Sequence, residues 1–227
     1  HQRIYGRKAS LGSCGIIIRG RGHKLRINYR TTEEIRRLAT AVLRDVQVDD
    51  LDEGHDPVDG YRSLLQGTRP TLKGFADAEA EAQWVVEEIE RLVEAGTRSQ
   101  DICVVARTRT DLKRVQRLLD ESAVGSRTLE PSQAENRELP GARLANMYRV
   151  KGLEFQVVFL VNIREGRLPL PQAMQTNDAA EKQSKDLSER ALFHVAATRA
   201  IRSLYVTWHG RPSPYIASST VEWITSS

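Results

Sequence analysis

Apolar residues along this 227-residue chain fall into short runs and helical stripes that alternate. Residues 24–29 read as a short strand, and Thr31-x-x-Glu34 forms a capping box that opens a helix over 33–45. The stretch 46–71, rich in Asp, Gly and Pro, reads as a loop, with a further strand at 72–75. A helix follows over 80–95, where Trp84, Ile89, Leu92 and Val93 recur at roughly helical spacing and Gly96 stops the pattern. Residues 102–106 are an apolar, β-branched run, followed by a helix over 111–122. A strand near 143–147, a buried strand over 157–162, a helix over 189–200 and a strand over 203–207 complete the order. Residues 168–186, with Pro169, Pro171 and several Gln and Asp, read as a mobile loop. Near-continuous apolar strands separated by helices predict an α/β fold, a parallel sheet covered on both faces. No internal repeat or low-complexity tract interrupts it.

Composition narrows the class. At 40% hydrophobic and 28% charged the chain reads as soluble and globular, long enough to bury a substantial core. The longest apolar run, Val157-Val158-Phe159-Leu160-Val161, is far short of the roughly 20 residues of a membrane span. No membrane partner is expected. Cys14 and Cys103 have no His or Cys at ligand spacing, which argues against a zinc site and suits a reducing, cytoplasmic compartment. No signal peptide opens the chain, and a start at His1 without Met fits a piece of something longer.

The net charge of +4 hides an asymmetry. Residues 1–44 carry eleven Lys/Arg and two Asp/Glu, whereas 45–101 carry five against fifteen. A basic block beside an acidic one fits either a polyanion partner or a solvated surface. Arg19-Gly20-Arg21-Gly22 is one short copy and reads as a flexible loop rather than an RNA-binding tract.

The chemistry is defined first by what is missing. No G-x-x-x-x-G-K-[ST] cradle occurs, and the run ending at Asn162 lacks the Asp-Glu pair that would hold Mg²⁺ and a water. The five histidines are scattered, and no Ser-His-Asp order sits on a credible scaffold. Arginines placed around strands and helices remain. Ligands of parallel sheets bind at the carboxyl ends of strands. There Arg30, after the first strand, and Arg199, ending the last helix, would reach a shared phosphate. Plainer readings stand beside this. Arg199 would be an exposed arginine complementing a helix dipole, and Arg30 a surface partner of Glu33 or Glu34. Tyr5 and Tyr29 would be half-buried packing residues, and Glu154 a solvated acid. Leu192, Val195 and Ala196 are core in either case.

Four segments go further: His1-Gln2-Arg3-Ile4-Tyr5-Gly6-Arg7, Leu25-Arg26-Ile27-Asn28-Tyr29-Arg30-Thr31-Thr32, Tyr148-Arg149-Val150-Lys151-Gly152-Leu153-Glu154-Phe155, and Glu189-Arg190-Ala191-Leu192-Phe193-His194-Val195-Ala196-Ala197-Thr198-Arg199-Ala200. In that order they resemble motifs III to VI of the UvrD/Rep/PcrA-like superfamily 1 DNA helicases, a likeness spanning almost the whole chain. The resemblance implies a RecA-like domain without a P-loop. It implies 1–22 as the tail of a first motor domain with a linker, and 23–227 as the second motor domain without a large inserted subdomain. It implies ATP with Mg²⁺, the ion held mainly by the first domain, and single-stranded DNA crossing both domains with 3′-to-5′ polarity. By resemblance Gln2, Arg30 and Arg199 would contact the γ-phosphate, Tyr29 would stack on adenine and Glu154 would bind the ribose. Tyr5, Arg7, Asn146, Tyr148 and Lys151 would lie along DNA. Arg7 stands where the family usually has an aromatic, and Asn146 and Tyr148 stand where it often has Thr and His. Ala191 and His194 stand where Arg and Tyr are common. Two rival readings stay open: a binding module with relic motor motifs, and the motor part of a helicase–nuclease. The fragment alone is expected not to hydrolyse ATP.

Overall fold

A computed structural model describes residues 27–28, 30–43, 62–130 and 135–217. Six parallel strands form one sheet: β3 (Thr71–Phe75), β4 (Ile102–Ala106), β5 (Ser126–Thr128), β6 (Ala142–Asn146), β7 (Phe155–Leu160) and β8 (Ala200–His209). Their spatial order is β3-β8-β7-β4-β6-β5, with β4 and β7 at the centre. A separate parallel pair, β1 (Ile27–Asn28) and β2 (Arg62–Ser63), lies outside this sheet.

Strand periodicity divides the core into two layers. Cys103 and Val105 of β4, Val158 and Leu160 of β7, and Leu204 and Val206 of β8 face one layer. That layer is closed by α1 (Glu33–Ala41) and α4 (Ala179–Ala197) through Ile35, Leu38, Leu192, Val195 and Ala196. Ile102, Val104, Val157 and Phe159 face the other layer, closed by α2 (Ala78–Glu94) and α3 (Lys113–Glu121) through Val85, Ile89, Val115 and Leu119. The expected parallel sheet with helices on both faces is therefore present. Strands buried on both sides explain why their apolar runs are continuous rather than alternating. Among the described residues, no helix is long and apolar enough to cross a membrane.

Element ends follow local chemistry. Asp77 caps α2 by accepting from the N–H groups of Glu79 and Ala80 at 3.0 and 2.9 Å. At the other end Gly96 takes φ 97°, and the N–H groups of Gly96 and Thr97 close onto the carbonyls of Val93 and Leu92. Three expectations are corrected. The cap of α1 is Thr32, not Thr31, and Glu34 accepts from the N–H of Gly67 at 2.9 Å instead of completing a capping box. Arg62–Ser63 is a strand inside the stretch read as loop; pairing with β1 supplies its ladder. The stretch 168–186 is not a structureless loop: Pro171–Met174 is a 3₁₀ turn, Leu168 is fully buried, and α4 starts at Ala179. Asp178 caps that start, and the pairs Glu181–Lys185 and Asp186–Arg190, four residues apart, support its first turns and its middle.

The contact between α1 and α4 holds a titratable group. His194 Nδ1 donates to the carbonyl of Ala39 at 3.1 Å, and burial pushes the imidazole pKa down from 6.5 to about 4. Because the folded value lies below the unfolded one, the unfolded chain takes up the proton first as pH falls. The stabilisation is complete above about pH 6.5 and is lost as pH falls toward 4. Stability should therefore drop by about 1–3 kcal/mol between roughly pH 7 and 4.5, read from denaturant midpoints. His194→Gln, which keeps a donor for Ala39, should flatten that part of the profile.

Candidate functional site

Three residues from distant segments meet at one edge of the sheet. Arg199 follows Thr198, the residue that ends α4. Its Nε donates to the Val195 carbonyl at 3.0 Å, Nη1 to the Leu153 carbonyl at 3.4 Å and Nη2 to Thr198 Oγ1 at 3.3 Å. Only 7% of the residue is exposed. The exposed helix-end arginine expected from sequence is thus a buried one. Three of its N–H groups are engaged, and a guanidinium carries five. Burial pushes the Arg199 pKa down; the Glu154 carboxylate opposes that shift and the Arg30 charge adds to it. Arg30 Nη1 in turn lies 3.3 Å from Glu154 Oε1. Glu33 and Glu34 are occupied elsewhere, Glu33 by Arg36, Arg37 and the Ser63 N–H, Glu34 by the Gly67 N–H. Glu154 thus stands near two guanidinium groups, leaving a net positive charge that favours an anion.

This cluster is not at the carboxyl edge. Glu154 and Arg199 immediately precede β7 and β8, and the Phe155 N–H donates to the Arg199 carbonyl at 3.0 Å. The reason is topological: a helix joining two parallel strands runs back against them, so its last residue returns to the amino edge.

Of the residues read as DNA-facing, Asn146 falls at the opposite edge and Tyr148 follows it on the turn. Asn146 ends β6, and its Oδ1 accepts from the N–H groups of Tyr148 and Arg149 at 3.1 and 3.0 Å. That oxygen shapes the turn. Tyr148 is 38% exposed, and Lys151 is exposed beside Gly152, which takes φ 84°. Segment 147–154 therefore crosses from Asn146 at the carboxyl edge to Glu154 at the amino edge. Gln2, Tyr5, Arg7 and Tyr29 lie outside the described residues.

Sequence reading overlooked two features of the carboxyl edge. Arg107, just after β4, makes a two-pronged ion pair with Glu189 of α4 at 2.6 and 3.0 Å. A cleft of about 560 Å³ lies between the start of α2, α3 and the end of β7. In it Glu81 accepts from the Asn162 N–H at 2.8 Å and from Thr207 Oγ1 at 2.6 Å, and pairs with His209 Nδ1 at 2.6 Å. Asn162 takes φ 60°, a left-handed conformation uncommon outside glycine. A positive φ leaves no strong sequence signal at an Asn, whereas Arg107, following an apolar strand, was open to the same reasoning as Arg30. Among the described residues no group of three or more His, Cys, Asp or Glu could hold a metal ion, so no metal ligand is assigned to them.

Comparison with known proteins gives a consistent result. The family model described as the UvrD-like helicase C-terminal domain matches residues 23–134 and 127–211. The ATP-dependent DNA helicase PcrA of Leuconostoc citreum is 42% identical over 64 residues, 28% of this chain and 8% of that protein. The ATP-dependent DNA helicase UvrD2 of Mycobacterium tuberculosis strain H37Rv is 36% identical over 85 residues, 36% of this chain and 12% of that protein. Each alignment thus spans about a tenth of the relative's length. A solved structure, described as the C-terminal domain of a possible DNA helicase from Lactobacillus plantarum WCFS1, shares the fold. It superposes with a TM-score of 0.58 at 17% identity, covering 84% of this chain and 93% of that one.

The two arginines should differ in their structural cost. Arg199→Ala removes three hydrogen bonds from a buried group and should lower unfolding free energy by about 1–3 kcal/mol. Arg30→Ala breaks an ion pair whose arginine side chain is 71% exposed and should cost about 0–1 kcal/mol. Denaturant titration of the two variants checks the order.

Proposed function

The chain belongs to the UvrD-like helicase C-terminal domain family, and from that premise we propose that it is the second RecA-like motor domain of an ATP-dependent DNA helicase or translocase. Residues 1–22 are the tail of the first motor domain with its linker, and 23–227 the second domain. Between α3 and β6 the chain has room for β5 and a loop but not for an inserted subdomain. The motor moves 3′-to-5′ on single-stranded DNA in the cytoplasm, and the first domain supplies the phosphate cradle and holds Mg²⁺.

One observation carries this reading: Arg30, Glu154 and Arg199 come from three separate motifs yet form one cluster. ATP bound between two motor domains presents its γ-phosphate to whatever the second domain offers. Hydrolysis spreads negative charge over the γ-oxygens, and positioned guanidinium groups stabilise that charge. Arg199 meets it from a partly dehydrated position fixed by Val195, Leu153 and Thr198. Arg30 is exposed and exchanges its Glu154 partner for a phosphate oxygen. The freed Glu154 carboxylate then accepts from the ribose, while Tyr29 stacks on adenine and Gln2 senses the γ-phosphate. DNA runs along Tyr5, Arg7, Asn146, Tyr148 and Lys151. Segment 147–154, with Tyr148 near one end and Glu154 at the other, joins the two ligands mechanically.

Two measurements test the reading. The purified 227-residue chain should show negligible ATP turnover, since it holds half a site; turnover at motor rates would overturn the division of labour. In the full-length parent, Arg199→Ala should cut kcat by on the order of 10³ or more in DNA-stimulated ATPase assays. Arg199→Lys should not restore it, because lysine keeps the charge but loses the planar fork. Melting the same variants separates lost catalysis from lost folding.

A further inference from the structure

We propose that Arg107 is a positioning residue: held by Glu189, it sets the ring of Tyr148 for stacking on a nucleobase without itself touching the strand. The proposal rests on the reading that Tyr148 faces a polynucleotide, and it adds a residue to that site.

Arg107 directly follows β4 and is 8% exposed, while Glu189 is 3% exposed. Both oxygens of Glu189 are committed to Arg107 Nε and Nη2, and Oε2 also accepts from the Leu170 N–H at 3.1 Å. The guanidinium is therefore fixed in place. Its Cζ lies 5.1 Å from the centroid of the Tyr148 ring, within cation–π range. The tyrosine is held a second time through its backbone, whose N–H donates to Asn146 Oδ1.

Stability alone does not account for this arrangement. A buried ion pair loses about as much by leaving water as it gains by pairing. An aromatic side chain would ordinarily bury its ring, yet Tyr148 remains 38% exposed. A partly exposed ring held by a neighbouring guanidinium and through its backbone has little freedom left to lose on stacking. Every nucleobase has a face for such a platform, so stacking of this kind is insensitive to sequence. Exposed Lys151 on the same segment supplies charge for the backbone, while Arg109 is paired with Glu130 at 2.7 Å.

The test uses the 227-residue chain and a fluorescent oligo-dT, with affinity measured by anisotropy across a salt series. Tyr148→Ala should weaken binding about fivefold or more, the low end for one lost base stack, with the salt slope unchanged. Removing Arg107 alone would strand a buried carboxylate, so the main variant is Arg107→Gln with Glu189→Gln. It should weaken binding by a similar factor, also at unchanged slope, and adding Tyr148→Ala should cost little more. A folded pair variant that binds like wild type overturns the proposal. So does a slope reduced by about 0.7, which would mean that Arg107 contacts a phosphate directly. If the pair variant melts early, Arg107→Lys decides: it should bind about threefold or more weakly, because a single ammonium cannot hold both carboxylate oxygens and the ring. Unchanged affinity there overturns the proposal as well. A wild-type chain that binds no strand even at low salt removes the polynucleotide reading, and the inference falls with it. Weakening by Tyr148→Ala alone leaves that reading intact and sinks only the role of Arg107.

Discussion

Burial of one stripe of α4 against the sheet is the constraint on which the remaining features depend. Leu192, Val195 and Ala196 are each 1% exposed or less, packed with Leu38 and Ala39 of α1 over β7 and β8. Once that stripe is buried, the orientation of every polar residue on the helix is determined. Glu189 reaches the carboxyl edge and Arg107, His194 turns to α1, and Arg199 arrives at the amino edge beside Glu154. A substitution that loosened the stripe would disturb both edges at once. The packing contact is thus also a mechanical one.

The two edges have different physical character. At the amino edge, two guanidinium groups face one carboxylate, and the side chain of one of them, Arg30, is exposed. At the carboxyl edge the two buried carboxylates are saturated: Glu189 by Arg107 and a backbone N–H, Glu81 by Asn162, Thr207 and His209. An unsaturated cluster is suited to a ligand that comes and goes, and a saturated one to holding a surface in shape. Segment 147–154 and helix α4 both run between the edges. They form two separate connections between the edges.

Much of this was legible in sequence, and the failures have physical causes. Continuous Val and Ile runs announced buried parallel strands, and Gly96 announced the end of α2. β5, at Ser126–Thr128, is short, polar and at the sheet edge, so no apolar pattern marks it. The first turns of α4 were hidden by the Pro and Gln around them, although Asp178 and Glu181 form a readable start signal. Motif resemblance singled out Arg30, Glu154 and Arg199, and the structure brings them together at the edge opposite to the one expected. The return direction of a crossover helix was sufficient to place it. The burial of Arg199 depends on the Leu153 carbonyl, which comes from another segment, and no local pattern could reveal it. Arg107 and Glu189 are 82 positions apart, and only the tertiary fold joins them.

The central claim is that Arg30 and Arg199 serve one phosphate. A double-mutant cycle on kcat in the full-length parent addresses it most directly, with Arg30→Ala, Arg199→Ala and the double variant measured at saturating ATP and DNA. Residues acting as a unit give non-additive losses. The double variant should therefore be little worse than the weaker single one, with a coupling of about 1 kcal/mol or more. Losses that simply multiply, or an Arg30→Ala variant with normal turnover, would contradict the shared site.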